Sequence, residues 1–305
     1  MITRTLIRQK VVQILYAYLI RENTNVEAAE KELMFSLNKA YELYLYLLLL
    51  MVAVKHYAED RMALRRLRLQ PTAEDINPNR RFVDNRFINQ LEQNSELAGR
   101  KKDLKFSWKD SEDVVRRLFE NIERSDAYCD YMNAKDKPSY EDDRALWRKL
   151  YKQYIMANDE LDALFEDQSL YWNDDKTVVD TFVLKTIKHF DPTMGVEQVL
   201  LPQFRDIEDA EFAHTLLRRA LTNAATYREI IDEQSSNWTA ERIAFMDTVI
   251  MVTALAEVTS FPTIPLNVTL NEYVEIAKFY STPSSGSFIN GVLDAAAKKL
   301  KKMEK

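Results

Sequence analysis

The sequence predicts an all-α protein on three observations. Glycine and proline are scarce, with 4 and 8 among 305 residues, so tight turns must be few. Leu, Ala, Glu, Lys and Arg, which tolerate helices well, recur along the whole chain. Apolar residues also repeat every three or four positions over long stretches, which is the period of an amphipathic helix.

The overall composition indicates an ordered globular protein, because 46% of the residues are hydrophobic and 30% are charged. The only cysteine, Cys129, has no partner for an internal disulfide, and the N-terminus lacks a signal-peptide cleavage pattern. We therefore expect a cytoplasmic protein. The apolar segment 43–54 is shorter than the roughly 20 residues that cross a bilayer, so a buried helix and no membrane partner are predicted.

The first helix is predicted from Thr3, a suitable N-cap, to Ile20. Its apolar stripe consists of Ile7, Val11, Ile14 and Tyr18. No acidic residue precedes Glu22, and the cations of this segment are Arg4, Arg8, Lys10 and Arg21. Since the net charge of the chain is −6, any nucleic-acid binding has to come from a local basic surface such as this one.

The middle of the chain begins with a long helix predicted over 27–68, which ends in the basic run RMALRRLRL. Polar runs over 71–110 indicate a long loop. Helical spacing resumes at 115–122 and at 147–165, and a further helix over 177–190 stops before Pro192.

The C-terminal part begins with one nearly unbroken helix predicted over 207–232. Another apolar helix covers 239–258 and is interrupted by the PTIP of 262–265. The TLNE of 269–272 has the spacing of a capping box and predicts a helix start. The last helix begins around Ser287, and its predicted apolar side consists of Phe288, Val292, Ala296 and Leu300.

No catalytic or metal-binding pattern is apparent. The four glycines are too far apart for a phosphate-binding or dinucleotide-binding loop, and His56, His189 and His214 lack the spacing of a zinc site. Adjacent carboxylates at 142–143 and 174–175 lie in polar stretches typical of a solvated surface. The sequence therefore predicts no enzyme, no cofactor and no metal.

Two parts of the chain carry a family resemblance. The first helix reads RQKVVQILY over 8–16, and the helix near 210–232 is also similar. The longest ordered series is Trp238, Glu241, Arg242, Ile243, Met246, Asp247, Glu257, Pro265, Asn271, Glu272, residues 275–279 and the FINGVLD of 288–294. Together these residues resemble the NusB family. The resemblance covers 1–21 and 206–294, so residues 1–21 and 206–305 are interpreted as a discontinuous NusB-like domain and 22–205 as a mainly helical insertion.

The resemblance implies an all-helical fold of two small bundles that binds boxA-type RNA together with NusE, within the transcription elongation complex, for antitermination in ribosomal-RNA synthesis. Carried over position by position, it implies RNA contacts by Arg4, Arg8 and nearby Tyr16, and by Phe288 and Asn290 of the FxNG motif. Lys10 is added from the charge of the same helix. Asp247 occupies the acidic position by which family members contact NusE. Glu257 is interpreted as a residue that caps a helix or forms a structural pair, and Gly291 as a packing glycine.

Alternatives remain open for several of these assignments. The cations of the first helix also fit an ordinary solvated face, and Phe288 fits core packing as well as RNA contact. The arginine motif is thinner than in the family, and 283–287 lacks the charges common before FxNG. The alternative function is thus a helical protein-interaction scaffold with weak or no RNA binding. A fused methyltransferase ranks last because the glycine-rich cofactor loop is missing.

Overall fold

The chain is helical throughout the part that a computed structural model describes, residues 2–172, 174–235 and 243–303. The α-helices of this part are α1 Arg4–Ile20, α2 Val26–Arg66, α3 Ala73–Ile76, α4 Arg86–Glu92, α5 Ser95–Lys101, α6 Glu112–Glu123, α7 Asp126–Asn133, α8 Tyr140–Leu150, α9 Asp159–Gln168, α10 Lys176–His189, α11 Ile207–Thr222, α12 Ala224–Ser235, α13 Phe245–Ser260, α14 Leu266–Tyr280 and α15 Ser285–Met303. One isolated parallel bridge pairs Ile2 with Phe204. The predicted all-α class is confirmed.

Part of the segment that carries the C-terminal resemblance is not among the described residues. Trp238, Glu241 and Arg242 of the C-terminal resemblance lie outside the described residues, as does the beginning of the helix predicted over 239–258. The described part of that helix is α13.

The chain divides into two compact units. The terminal unit combines Met1–Asn38 with Gln203–Lys305, and the middle unit is Lys39–Pro202. The structural boundaries therefore differ from the predicted ones, because residues 22–38 belong to the terminal unit. Within that unit Glu30 accepts hydrogen bonds from Arg218 Nε at 2.9 Å and Nη2 at 2.8 Å.

The core of the terminal unit is built around α13, which packs against α1, α11, α12, α14 and α15. Every residue from Val249 to Glu257 is buried. The hydroxyl of Thr253 is accommodated in this core by donating to the backbone oxygen of Val249 at 2.8 Å. A helix that is apolar on all sides is typical of a core position, and α13 provides the surface on which α1 is held.

Two helices of the terminal unit differ from their predictions. The single helix predicted over 207–232 is divided into α11 and α12 at Asn223, the C-cap of α11, whose side chain donates to the backbone oxygen of Arg219 at 3.0 Å. The predicted start at 269–272 is also wrong, since α14 begins at Leu266 with Pro265 at the N-cap. Thr269 lies inside α14 and donates to Glu257 at 2.8 Å instead of capping.

The core of the middle unit contains an aromatic cluster around α2. Tyr46 stacks on Trp108 with ring centroids 4.2 Å apart, and Phe165 and Trp172 pack around this pair. Most of residues 43–54 are buried, which confirms the predicted buried helix. By length and composition α2 is also able to cross a membrane, but 78% of its most apolar window is buried inside the protein, as in a core helix.

The prediction of a long loop over 71–110 is wrong, because this segment contains α3, α4 and α5 and a 3₁₀ turn at Trp108–Ser111. The polar residues Thr72, Asn85 and Asn94 act as N-caps, with side chains that accept hydrogen bonds from the following helix. Between the caps, the buried side chains are Phe82, Val83, Phe87, Ile88, Leu91 and Leu97.

Candidate nucleic-acid interface

The first turn of α1 presents Arg4 at the edge of the terminal unit. Thr3 caps the helix by accepting a hydrogen bond from the Leu6 N–H at 3.3 Å, as predicted. The Arg4 side chain is 35% exposed, and its Nε donates to Asp209 Oδ1 at 3.2 Å. Its guanidinium carbon lies 5.0 Å from the ring centroid of Phe212. Arg4 is thus held over an aromatic face and still reaches solvent.

Arg8 lies one turn further along α1 and, contrary to the expected exposed position, is buried with only 4% of its surface accessible. Its Nε donates to Glu257 Oε2 at 2.7 Å, and its Nη2 donates to Oε1 at 2.8 Å. Nη1 donates to Glu272 Oε2 at 3.2 Å. Because this guanidinium is buried and paired with internal carboxylates, it is not accessible to RNA, contrary to the expected contact.

Glu257 is the centre of this buried network, which fits the pairing role proposed for it. Besides Arg8, it accepts hydrogen bonds from Thr269 Oγ1 at 2.8 Å and from the Tyr273 hydroxyl at 3.0 Å. Burial alone would lower the pKa of Arg8, but the hydrogen bond and charge of Glu257 hold it above its usual range. Burial beside the Glu257 carboxylate raises the pKa of Tyr273 well above its usual range.

Two other predicted contacts on α1 have different environments. Lys10 is only 2% exposed, so the expectation that it adds an accessible cation is wrong. Tyr16 is half-buried and packs edge-on against Phe245, with ring centroids 5.3 Å apart. Tyr16 therefore remains available as part of a stacking surface.

Sequence reasoning missed two residues beside Tyr16. Phe245 is 37% exposed, and the guanidinium carbon of Arg228 lies 5.5 Å from its ring centroid. The Nε and Nη2 atoms of Arg228 are buried and have no hydrogen-bond partner among the described residues. Nothing in local spacing links positions 16, 228 and 245, because tertiary packing brings them together.

The FxNG segment lies in the first turns of α15. Asn290 is exposed and Phe288 is half-buried. Val292 and Ala296 are buried as predicted, but the buried stripe of α15 also contains Ile289, Leu293 and Ala297 in place of Phe288 and Leu300. Phe288 therefore lies at the edge of the buried stripe, where part of its ring stays accessible.

Gly291 does not have the packing role assigned to it. It is exposed, and a Cβ atom added at this position would meet no heavy atom within 4 Å. At Gly286, by contrast, an added Cβ would lie 3.6 Å from Val274 Cγ1, which is ordinary contact.

Asp247, the predicted partner contact, is buried with 4% of its surface accessible. Its carboxylate accepts hydrogen bonds from the hydroxyls of Ser281 and Ser285, the latter at 2.8 Å. These bonds connect the first turn of α13 to the end of α14 and the start of α15. The geometry thus favours a structural role for Asp247, and contact with a partner would need these serines to move.

Within residues 2–172, 174–235 and 243–303, no group of three or more His, Cys, Asp or Glu side chains is arranged to hold a metal ion.

Among the candidate contacts, those that remain accessible are a cation over an aromatic ring, an aromatic pair and an exposed amide, which suit phosphates and unstacked bases.

The chain matches the NusB family over residues 195–298. The transcription antitermination protein NusB of Salinibacter ruber is 39% identical over 119 residues, which are 37% of this chain and 74% of that protein. Its counterpart in Geotalea daltonii is 37% identical over 133 residues, 44% of this chain and 89% of that protein. No solved structure matches the chain. Because the match spans most of both relatives, the chain belongs to the NusB family.

Proposed function

We propose that this chain is a non-enzymatic RNA-binding factor for transcription antitermination, acting with NusE on boxA-type RNA in ribosomal-RNA synthesis. Its partners are then the RNA, NusE and the transcription elongation complex. The observation that carries the proposal is the similarity to proteins named transcription antitermination protein NusB over most of their length. The RNA-binding part is assigned to the segments predicted as 1–21 and 206–305, with 22–205 as an insertion.

Within that part, the exposed or half-buried side chains support a revised contact set. Arg4 would reach phosphate oxygens, and Tyr16 with Phe245 offers aromatic surface to an unstacked base. The Asn290 amide would donate or accept a hydrogen bond at the edge of a base. Phe288, at the edge of the buried stripe of α15, adds a second aromatic surface. Arg8, Lys10 and Asp247 are left out because they are buried.

The test is fluorescence anisotropy of a labelled boxA-type RNA at fixed salt, with and without NusE, and with a scrambled RNA of equal length. We expect boxA binding that NusE strengthens. Arg4→Ala should weaken it and reduce the slope of log affinity against log salt by about 0.7 to 0.9, the effect of one phosphate contact. Arg124→Ala, which removes an exposed arginine of the middle unit, is the matched control. Absent RNA binding by the folded protein in both conditions overturns the proposal.

A second function, a protein-interaction scaffold with the NusB fold, is favoured by the burial of Arg8 and Lys10. With both side chains inside, Arg4 is the remaining cation of α1 at a position with solvent access, and it already pairs with Asp209. The same titrations separate the two functions. NusE binding without RNA binding identifies the scaffold, whereas salt-dependent boxA binding lost in Arg4→Ala identifies the RNA-binding factor.

A further inference from the structure

An unusual surface lies at the C-terminal end of α2, in the middle unit and outside the residues that match the family. The exposed fractions of Leu64, Leu67 and Leu69 are 67%, 81% and 103%. Arg65, Arg66 and Arg68 alternate with them, and no acidic residue occurs from 61 to 73. We call residues 64–69 the Arg–Leu tip.

The geometry of the tip is fixed from within the middle unit. Just before the tip, Arg61 Nη1 donates to Glu123 Oε2 at 2.7 Å, and within the tip Arg68 Nη1 donates to Asp75 Oδ2 at 3.4 Å. Leu64 lies in the last turn of α2, which ends at Arg66, and Leu67 follows in a turn in which its N–H donates to the Leu64 backbone oxygen at 3.1 Å. Residues three positions apart in such a turn lie on the same side. Ile76, which ends α3 beside Asp75, is a further aliphatic side chain with 61% exposure.

Arginines near a helix C-terminus have an ordinary explanation, because they interact favourably with the helix dipole. The leucines do not share that explanation. Leu64, Leu67 and Leu69 are exposed within six residues, and Ile76 follows Asp75, which Arg68 contacts, so the four exposed aliphatic side chains are concentrated in one region. Such concentrations of exposed apolar side chains mark interaction sites.

We propose that the Arg–Leu tip docks a partner protein through an apolar groove rimmed by carboxylates. Leu64 and Leu67 lie on the same side of the turn that follows α2, so both can enter one groove, and the arginines require acidic groups around it. This inference does not depend on the RNA-binding proposal.

Charge and side-chain type favour a protein with an acidic-rimmed apolar groove over a second copy of the chain, an RNA or a membrane. A second copy of the chain would bring the same positive tip against itself, so a symmetric contact is repulsive. An RNA backbone would pair with the arginines but leave the leucines in water. A helix that binds a membrane surface needs an apolar face along its length, often with Trp or Phe. Here α2 ends at Arg66, Leu64 is the one large aliphatic residue exposed in its last turn, and no aromatic residue occurs from 61 to 76.

The experiment replaces Leu67 in the full-length chain by a photo-crosslinking amino acid in the cells that make the protein. We expect one light-dependent adduct, whose cross-linked segment contains apolar residues flanked by Asp or Glu. The cross-linked partner protein is then purified in its folded form and titrated against the wild-type chain, Leu64→Ser/Leu67→Ser and Arg65→Glu/Arg66→Glu. Both variants should bind at least about tenfold more weakly, and wild-type affinity should fall as salt rises.

Leu170→Ser and Lys102→Glu are the matched controls, because both residues are exposed in the middle unit away from the tip. They should bind the purified partner protein like the wild type. An adduct with RNA, lipid or a second copy overturns the proposal, as does the lack of any adduct. Equal partner binding by the wild type and the charge-reversed variant also overturns it. Circular dichroism and melting temperature should match the wild type, because Leu64, Arg66 and Leu67 are exposed and only Arg65 is half-buried.

Discussion

Arg8 and Glu257 form a two-point ion pair across 249 residues of sequence, with N–O distances of 2.7 and 2.8 Å. The pair joins α1 to the central helix α13 in an interior from which both side chains are almost excluded from water. A buried charge is tolerated only when its partner and hydrogen bonds are in place. The arginine expected to contact RNA therefore holds the terminal unit together.

Arg8→Ala should destabilise the protein by about 3 to 5 kcal/mol, because it leaves the Glu257 carboxylate buried without its counter-charge. Urea unfolding followed by circular dichroism measures this. Arg4→Ala is the matched control, since Arg4 is 35% exposed and its pair with Asp209 should contribute less than about 1 kcal/mol. Equal stability of Arg8→Ala and the wild type contradicts the structural role.

Arg8→Lys separates charge from geometry in the same pair. Lysine supplies a cation but lacks the planar fork that reaches both Glu257 oxygens. We therefore expect Arg8→Lys to recover only part of the lost unfolding free energy. Full recovery would show that the two-point geometry contributes little.

The middle unit should lose stability in acid through Glu92. Burial alone would raise the pKa of Glu92, but hydrogen bonds from His56 and Lys55 lower it below its ordinary value of 4.5. A carboxyl whose pKa is lower in the folded than in the unfolded protein stabilises the fold at pH values above its unfolded pKa. This stabilisation is lost as the pH falls through the folded pKa. The wild type should thus exceed Glu92→Gln in stability near neutral pH, with the difference shrinking below about pH 4.5.

Thermal unfolding of both proteins from about pH 6 to about pH 3 tests this expectation. The exposed Glu74→Gln, which also removes one carboxylate of the middle unit, is the control variant. A Glu92→Gln difference that stays constant with pH would show that the Lys55 and His56 contacts do not act in solution.

Gly291→Ala should raise the unfolding free energy by about 0.5 to 1 kcal/mol, because alanine restricts the unfolded chain and favours the helix. Space is available, since an added Cβ meets no atom within 4 Å. Melting temperature measures the gain. A loss of stability would restore the packing role, whereas a gain accompanied by weaker boxA binding would indicate that RNA approaches the backbone there.

Local features of the structure were largely predictable from the sequence. The Thr3 cap and the bounds of α1 follow from side chains within a few positions, and so does the buried segment of α2. The burial of Arg8 was not predictable in this way, because its partner lies 249 residues away. The short helices of 71–110 were missed because Asn and Thr serve equally as loop residues and as helix caps.

Asn290 and Phe288 allow the RNA surface on α15 to be tested apart from folding. Asn290→Ala changes an exposed residue, so we expect unfolding free energy within about 0.5 kcal/mol of the wild type and weaker boxA binding. Phe288→Leu keeps apolar volume at a half-buried position but removes the ring. Because stacking on an aromatic ring contributes about 1 to 3 kcal/mol per base, its RNA affinity should fall by about tenfold or more while the fold is kept. Wild-type RNA affinity in Phe288→Leu, together with strong destabilisation in Phe288→Ala, would assign Phe288 to the core and leave Asn290 as the contact on α15.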